Sequence, residues 1–263
     1  MISTSIRIIR ENWHFYLFFV IAMLVVAALA DTGIVRSASG TGTMVAWLLL
    51  ALFVHRAALF NLKFGAPNAD GTADRSFGGF MFKALALLVL SVIPAMPVLL
   101  SASGATGADS QAPDIPGLLP FFGATLLSYA VLLGLAGSWL PASVYKQNTG
   151  LGAAFKRGMR NFLPVFIRIA AVLILTIVLQ FAILMTAGMS GIQPSVIRDA
   201  MPNVSGAVMT VVETSIEAVS ITLISVILSH YYLKAEDIGG NRPGPYDPAA
   251  NSTPPPSSFG GNV

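Results

Sequence analysis

The chain has 263 residues, of which 55% are hydrophobic and only 10% charged, where a soluble domain carries about 25% charged residues. Its net charge of +3 is spread thinly between apolar runs, which leaves no contiguous basic patch for nucleic acid, and the lack of cysteine removes disulfides, thiolate metal sites and cysteine nucleophiles together. The composition is that of an integral membrane protein.

Six apolar runs follow in order, at 13–30, 43–60, 82–100, 117–140, 165–189 and 204–232, each near the length of about 20 residues that spans the hydrocarbon of a bilayer. Before the first, Ile2, Ile6, Ile9 and Trp13 form an apolar stripe with Arg7, Arg10 and Glu11 off it, which predicts a short amphipathic helix lying in the interface. The run itself has features of a cleavable signal peptide, with Ala28, Leu29 and Ala30 before Asp31. Its sixteen uninterrupted apolar residues, and Trp13 and Tyr16 as interfacial belt residues, favour a retained span. The second run carries His55 and Arg56 near its end. A weaker amphipathic stretch, Phe77, Phe80 and Met81 with Arg75 and Lys83, leads into the third and is interrupted by Gly78 and Gly79. Pro94 and Pro97 should kink that span. In the fourth, Ala130, Gly134 and Ser138 form a small-residue face that lets another helix come close. The fifth is preceded by Leu151, Phe155, Met159 and Phe162 opposite Lys156, Arg157 and Arg160, again a foot in the interface, with Thr149 as its expected N-cap.

Counting Lys and Arg on alternate sides of these spans gives thirteen against two, Arg36 and Arg198 being the two. The positive-inside rule then places both termini in the cytoplasm and the loops at 31–42, 101–116 and 190–203 outside. Arg7, Arg10, Lys156, Arg157 and Arg160 are expected to contact lipid headgroups. The fold expected is an all-α polytopic membrane bundle of six transmembrane helices over residues 1–238, with amphipathic interfacial helices. The Gly-, Pro-, Asn- and Ser-rich segment 239–263 is expected to be a disordered cytoplasmic tail.

The sixth run holds the one chemical anomaly. Gly206, Thr210, Glu213, Glu217 and Ser220 follow at steps of four, three, four and three, so they share one helical stripe that continues as Ile224 and Ile227. Two carboxylates inside a membrane span must face a bundle interior or a water-filled cavity. They suit a proton or cation relay or a cationic headgroup site; they also suit a polar clamp that fixes packing and register. Taking about 1.5 Å of rise per residue puts Glu213 about 9 Å and Glu217 about 15 Å below the outer surface. Thr176, Gln180, Ser128 and Tyr129 reach similar depths, and Glu217 is expected either to pair with a long Arg56 side chain, which could instead snorkel to the cytoplasmic surface, or to hydrogen-bond Gln180.

No zinc-protease, nucleophile-elbow, P-loop or dinucleotide-binding pattern is present. The three histidines, His14, His55 and His230, lie near span ends and read as interfacial side chains. No cofactor or metal is expected. The expected partners are membrane lipids and other membrane proteins or a second copy of the chain.

The run Gly150, Leu151, Gly152, Ala153, Ala154, Phe155, Lys156, Arg157, Gly158, followed by Asn161 and Phe162, and the close at Leu228 to Asp237 with Tyr231, Tyr232, Leu233 and Lys234 carry a resemblance. Over the second half the chain resembles the six-helix membrane domain attached to some bacterial glycerophosphodiester phosphodiesterases and found in stand-alone relatives. The resemblance implies a six-helix fold and a bacterial inner-membrane setting; it brings no catalytic residue, and Glu213 and Glu217 are not assigned by it. The sequence therefore leaves two functional classes: a non-enzymatic accessory, assembly or lipid-interacting subunit of a membrane complex, and a small proton- or cation-coupled transporter or channel.

Overall fold

The computed structural model describes residues 1–33, 38–66, 77–105, 115–146, 149–198 and 201–237. The expected tail at 239–263 lies outside them, as do Arg36 and Arg75. Helices α1 (Ile2–Glu11), α2 (Trp13–Asp31), α3 (Ala38–Phe60), α4 (Phe77–Val92), α5 (Met96–Ala105), α6 (Ile115–Ala136), α7 (Trp139–Tyr145), α8 (Leu151–Met189) and α9 (Val204–Ala235) make an all-α bundle, with a two-residue hairpin of β1 (Ile197–Arg198) and β2 (Met201–Pro202). Among the described residues six helical segments are long and apolar enough to cross a membrane, the third running through α4 and α5.

The local breaks have identifiable causes. Asn12 separates α1 from α2: at φ −121° and ψ 24° it leaves helical geometry. Its Nδ2 donates to the Ile8 carbonyl at 2.8 Å while its Oδ1 accepts the Phe64 N–H at 2.8 Å, so the turn is tied to the chain that follows α3. Pro94 and Pro97 do break the third span, through a 3₁₀ turn at Ile93–Ala95. The fourth span stops early. α6 ends at Ala136, the chain turns over Gly137 and Ser138, and α7 starts with Pro141 in its first turn, where a missing N–H costs nothing.

The two expected feet around the third and fifth spans differ from expectation. Residues 77–83 are not a separate foot: α4 runs unbroken from Phe77, and Phe80 is fully buried in the core. The stretch before the fifth span is helical, but it joins the span as one 39-residue helix, kinked at Asn161 with φ −126° and ψ 18°. Pro164 supplies the reason, since its ring clashes with the carbonyl four residues earlier. Gly150 rather than Thr149 takes the extended N-cap conformation. The Thr149 carbonyl instead accepts the Trp139 Nε1–H at 2.7 Å.

α9 is the hub. It packs against α8, α3, α2, α1 and α7, while α6 packs against α8 and α4. Two apolar clusters meet on it: Leu59, Phe80, Leu87, Leu133, Ile169 and Tyr232 on one flank, and Ile8, Tyr16, Phe19, Leu50, Val54 and Val226 on the other. α2 and α8 are the least buried spans and show their apolar side chains outward, the expected posture toward lipid.

Close approach of α6 and α8 depends on two small residues. A Cβ at Gly134 would lie 3.0 Å from the Phe162 ring, so the small-residue face predicted there is used. Gly158 is tighter still, since a Cβ would lie 1.9 Å from the Leu135 carbonyl oxygen.

Candidate functional site

The acidic stripe of α9 faces α8, and the two helices run antiparallel along a polar seam. Thr176 Oγ1 donates to Ser220 Oγ at 2.9 Å, and one turn along, Gln180 Nε2 donates to Glu217 Oε1 at 3.0 Å. The expected partnership of Gln180 with Glu217 is therefore formed. Glu213 lies half-buried one turn further along α9, and no hydrogen bond reaches it from the described residues. Beyond it the stripe turns to packing. The Thr210 hydroxyl bonds the Gly206 carbonyl of its own helix at 3.0 Å, and Gly206 lies so close under the Ser195 carbonyl that a Cβ would come within 1.9 Å. That end is fastened by Asn203, whose Oδ1 accepts the Gly206 N–H at 3.3 Å while Nδ2 donates to the Ser195 carbonyl at 2.8 Å. Asp31 at the end of α2 accepts the Val196 and Ile197 N–H groups at 2.5 and 3.0 Å.

Two of the proposed members are elsewhere. Arg56 does not meet Glu217: its Nη2 donates to the Ala66 carbonyl at 3.0 Å, in the chain after α3. Its neighbour His55 bonds Ser229 at 2.8 Å, twelve residues from Glu217 and so about 18 Å along the helix. The depth arithmetic gave Arg56 too long a reach. Ser128 lies on α6, whose main partners are α8 and α4, and no hydrogen bond joins it to either acid among the described residues.

The opposite flank of α9 holds polar contacts that the stripe did not indicate. The Tyr16 and Thr222 hydroxyls bond at 2.7 Å, and His55 Nδ1 bonds Ser229 Oγ at 2.8 Å with its ring edge-on to Phe80. Tyr16 and His55 are thus core residues, not interfacial ones. The signal was present as Thr222, Ser225 and Ser229, all buried, on a face the apolar continuation Ile224 and Ile227 hid.

At the basic end of the bundle Arg10, Lys156 and Arg160 are exposed and Arg7 is half-buried. Arg157 is not a headgroup contact. It is only 7% exposed, pairs with Glu236 at 2.6 Å, and donates from Nε to Ser138 Oγ at 3.2 Å. Gly158 beside it lets α8 press this residue inward against the turn after α6.

Among the described residues no three His, Asp or Glu side chains converge in a way that would hold a metal ion. No family model, curated protein or solved structure matches the chain.

Proposed function

We propose that this chain is a non-enzymatic multi-pass membrane module, an accessory, assembly or lipid-interacting subunit of a membrane complex. The setting we infer is a bacterial inner membrane with both termini cytoplasmic. The observation that supports the reading is the α8–α9 seam: the polar side chains of the span bond one another through Thr176–Ser220 and Gln180–Glu217, so they act as interhelical fasteners. The exposed apolar faces of α2 and α8 then supply the surface through which such a module works, toward lipid or toward neighbouring membrane proteins.

One observation favours a second reading. Glu213 is half-buried beside Glu217 without a hydrogen bond from the described residues, as the membrane-embedded acid of a small proton- or cation-coupled transporter would be. Purified protein in liposomes, followed for proton or cation flux, separates the two. The module reading expects no flux above empty liposomes and co-purification with stoichiometric membrane partners. Flux abolished by Glu213→Gln or Glu217→Gln would overturn it in favour of the transporter.

A further inference from the structure

Arg168 is a cation outside the interhelical fasteners of the α8–α9 seam. It lies on α8 seven residues after the kink at Asn161, beside Ile167 and Leu163, which are 55% and 62% exposed. Its Nη1 donates to the Tyr231 hydroxyl and touches Met1 Sδ at 3.6 Å, and its guanidinium carbon lies 5.3 Å from the Tyr231 ring centroid. From α9, Lys234 Nζ lies 6.0 Å from the same centroid. Two cations thus share one aromatic ring, and among the described residues neither has a carboxylate partner.

The geometry points to a binding site for the phosphate of an anionic phospholipid, with Arg168 and Lys234 as its ligands and Tyr231 as the residue that positions the guanidinium. This inference rests on the reading of the chain as a module that works through lipid and protein contact. Arg168 Nη1 is held by Tyr231, whereas Nε and Nη2, which form the side-on fork, make no hydrogen bond to the described residues. That fork matches two phosphate oxygens, and a guanidinium already fixed on one side loses little freedom in making the second contact. Lys234 adds a point charge on the same side. Like charges brought together without an acid repel one another, and a bound phosphodiester removes that repulsion.

The surroundings favour lipid over a soluble phosphate ester. Ala171, Leu175 and Val178 follow Arg168 at three, seven and ten residues, so they continue its face of α8 into the span, and all three are exposed. A headgroup phosphate on Arg168 therefore has an apolar track for its acyl chain directly below.

The test is native mass spectrometry of the full chain in mixed micelles, titrated separately with phosphatidylglycerol and phosphatidylcholine. The first phosphatidylglycerol should bind about tenfold more tightly than phosphatidylcholine, and Arg168→Gln should abolish that preference. Arg168→Lys keeps the charge and loses the fork, and should forfeit at least about threefold. Lys234→Gln, at an exposed position with no hydrogen bond to the described residues, guards against misfolding of the Arg168 variants and should weaken phosphatidylglycerol alone. Lys63→Gln removes an exposed charge just past α3, away from the site, and should change binding by less than about twofold. Equal binding of the two lipids by the wild type, or an equal loss in Lys63→Gln, overturns the site. So does displacement of the lipid by millimolar glycerol phosphate, which would assign the fork to a soluble ester. None of these outcomes decides the flux and partner measurements that test the module reading.

Discussion

Arg157 on α8 and Glu236 just past α9 form an ion pair at 2.6 Å although 79 positions separate them, with Arg157 7% and Glu236 18% exposed. The guanidinium also lies 5.1 Å from the Tyr232 ring centroid and bonds Ser138, so one side chain joins α8, the turn before α7 and the end of α9. Removing one member of a buried pair costs about 3–5 kcal/mol, because the other charge is left in place. Glu236→Leu strands the more buried member and should destabilise by about 3 kcal/mol. The double variant Arg157→Met with Glu236→Leu should recover most of that loss. Unfolding titrations in mild detergent measure both; a double variant as unstable as the single one would mean the pair is not what holds the three elements.

Gly158 and Gly152 test the helix contact within one helix. A methyl at Gly158 meets the Leu135 carbonyl at 1.9 Å, and backbone cannot move aside as a flexible side chain can. Gly158→Ala should cost about 1–3 kcal/mol through forced separation of α6 and α8. Gly152 has open space at the same point, so Gly152→Ala should be neutral or stabilise by up to about 1 kcal/mol. Equal melting behaviour for the two variants would remove the close contact from the account.

These two contacts also show where sequence reading stops. The six spans were legible because lipid demands long apolar runs, and the kinks at Pro94 and Pro97 because proline acts locally. Gln180 with Glu217 was legible because Glu217 sits on a polar stripe and Gln180 at a matching, calculable depth. Arg56 was misplaced in depth: α3 does pack against α9, but His55 and Arg56 meet its Ser229 end, about 18 Å along the helix from Glu217. Arg157 read as a surface charge, since its neighbours Lys156 and Arg160 are exposed and only the three-dimensional position of Glu236 sets it apart. Gly158 carries no signal along the chain at all, because a helix glycine in open space and one against a carbonyl read alike.

The seam predicts a contrast at one hydrogen bond. Glu217→Gln keeps an oxygen that can accept from Gln180 Nε2, so the fold should change by less than about 0.5 kcal/mol. Gln180→Leu removes the donor and leaves the Glu217 carboxylate without it, at a cost of about 1–2 kcal/mol. Unfolding titrations check the order. The same result qualifies Glu217→Gln as a folded control for the flux measurement; a Glu217→Gln protein that fails to fold would show that the ionised group itself is required.

The other flank of α9 allows two hydroxyl deletions to be ranked. Tyr16→Phe removes a 2.7 Å bond to Thr222, but the Thr222 hydroxyl still donates to the Ala218 carbonyl at 2.7 Å, so the buried group keeps a partner. Its cost should be about 0.5–1.5 kcal/mol. Ser229→Ala instead takes the hydroxyl from His55 Nδ1, on a side chain only 1% exposed, and a stranded buried polar atom costs about 1–3 kcal/mol. Ser229→Ala should therefore be the more damaging substitution in the same unfolding titration, although each change deletes a single hydroxyl oxygen. If Tyr16→Phe proves worse, then packing of the Tyr16 ring against α9 depends on its hydroxyl, and His55 gains more from its contact with Phe80 than from Ser229.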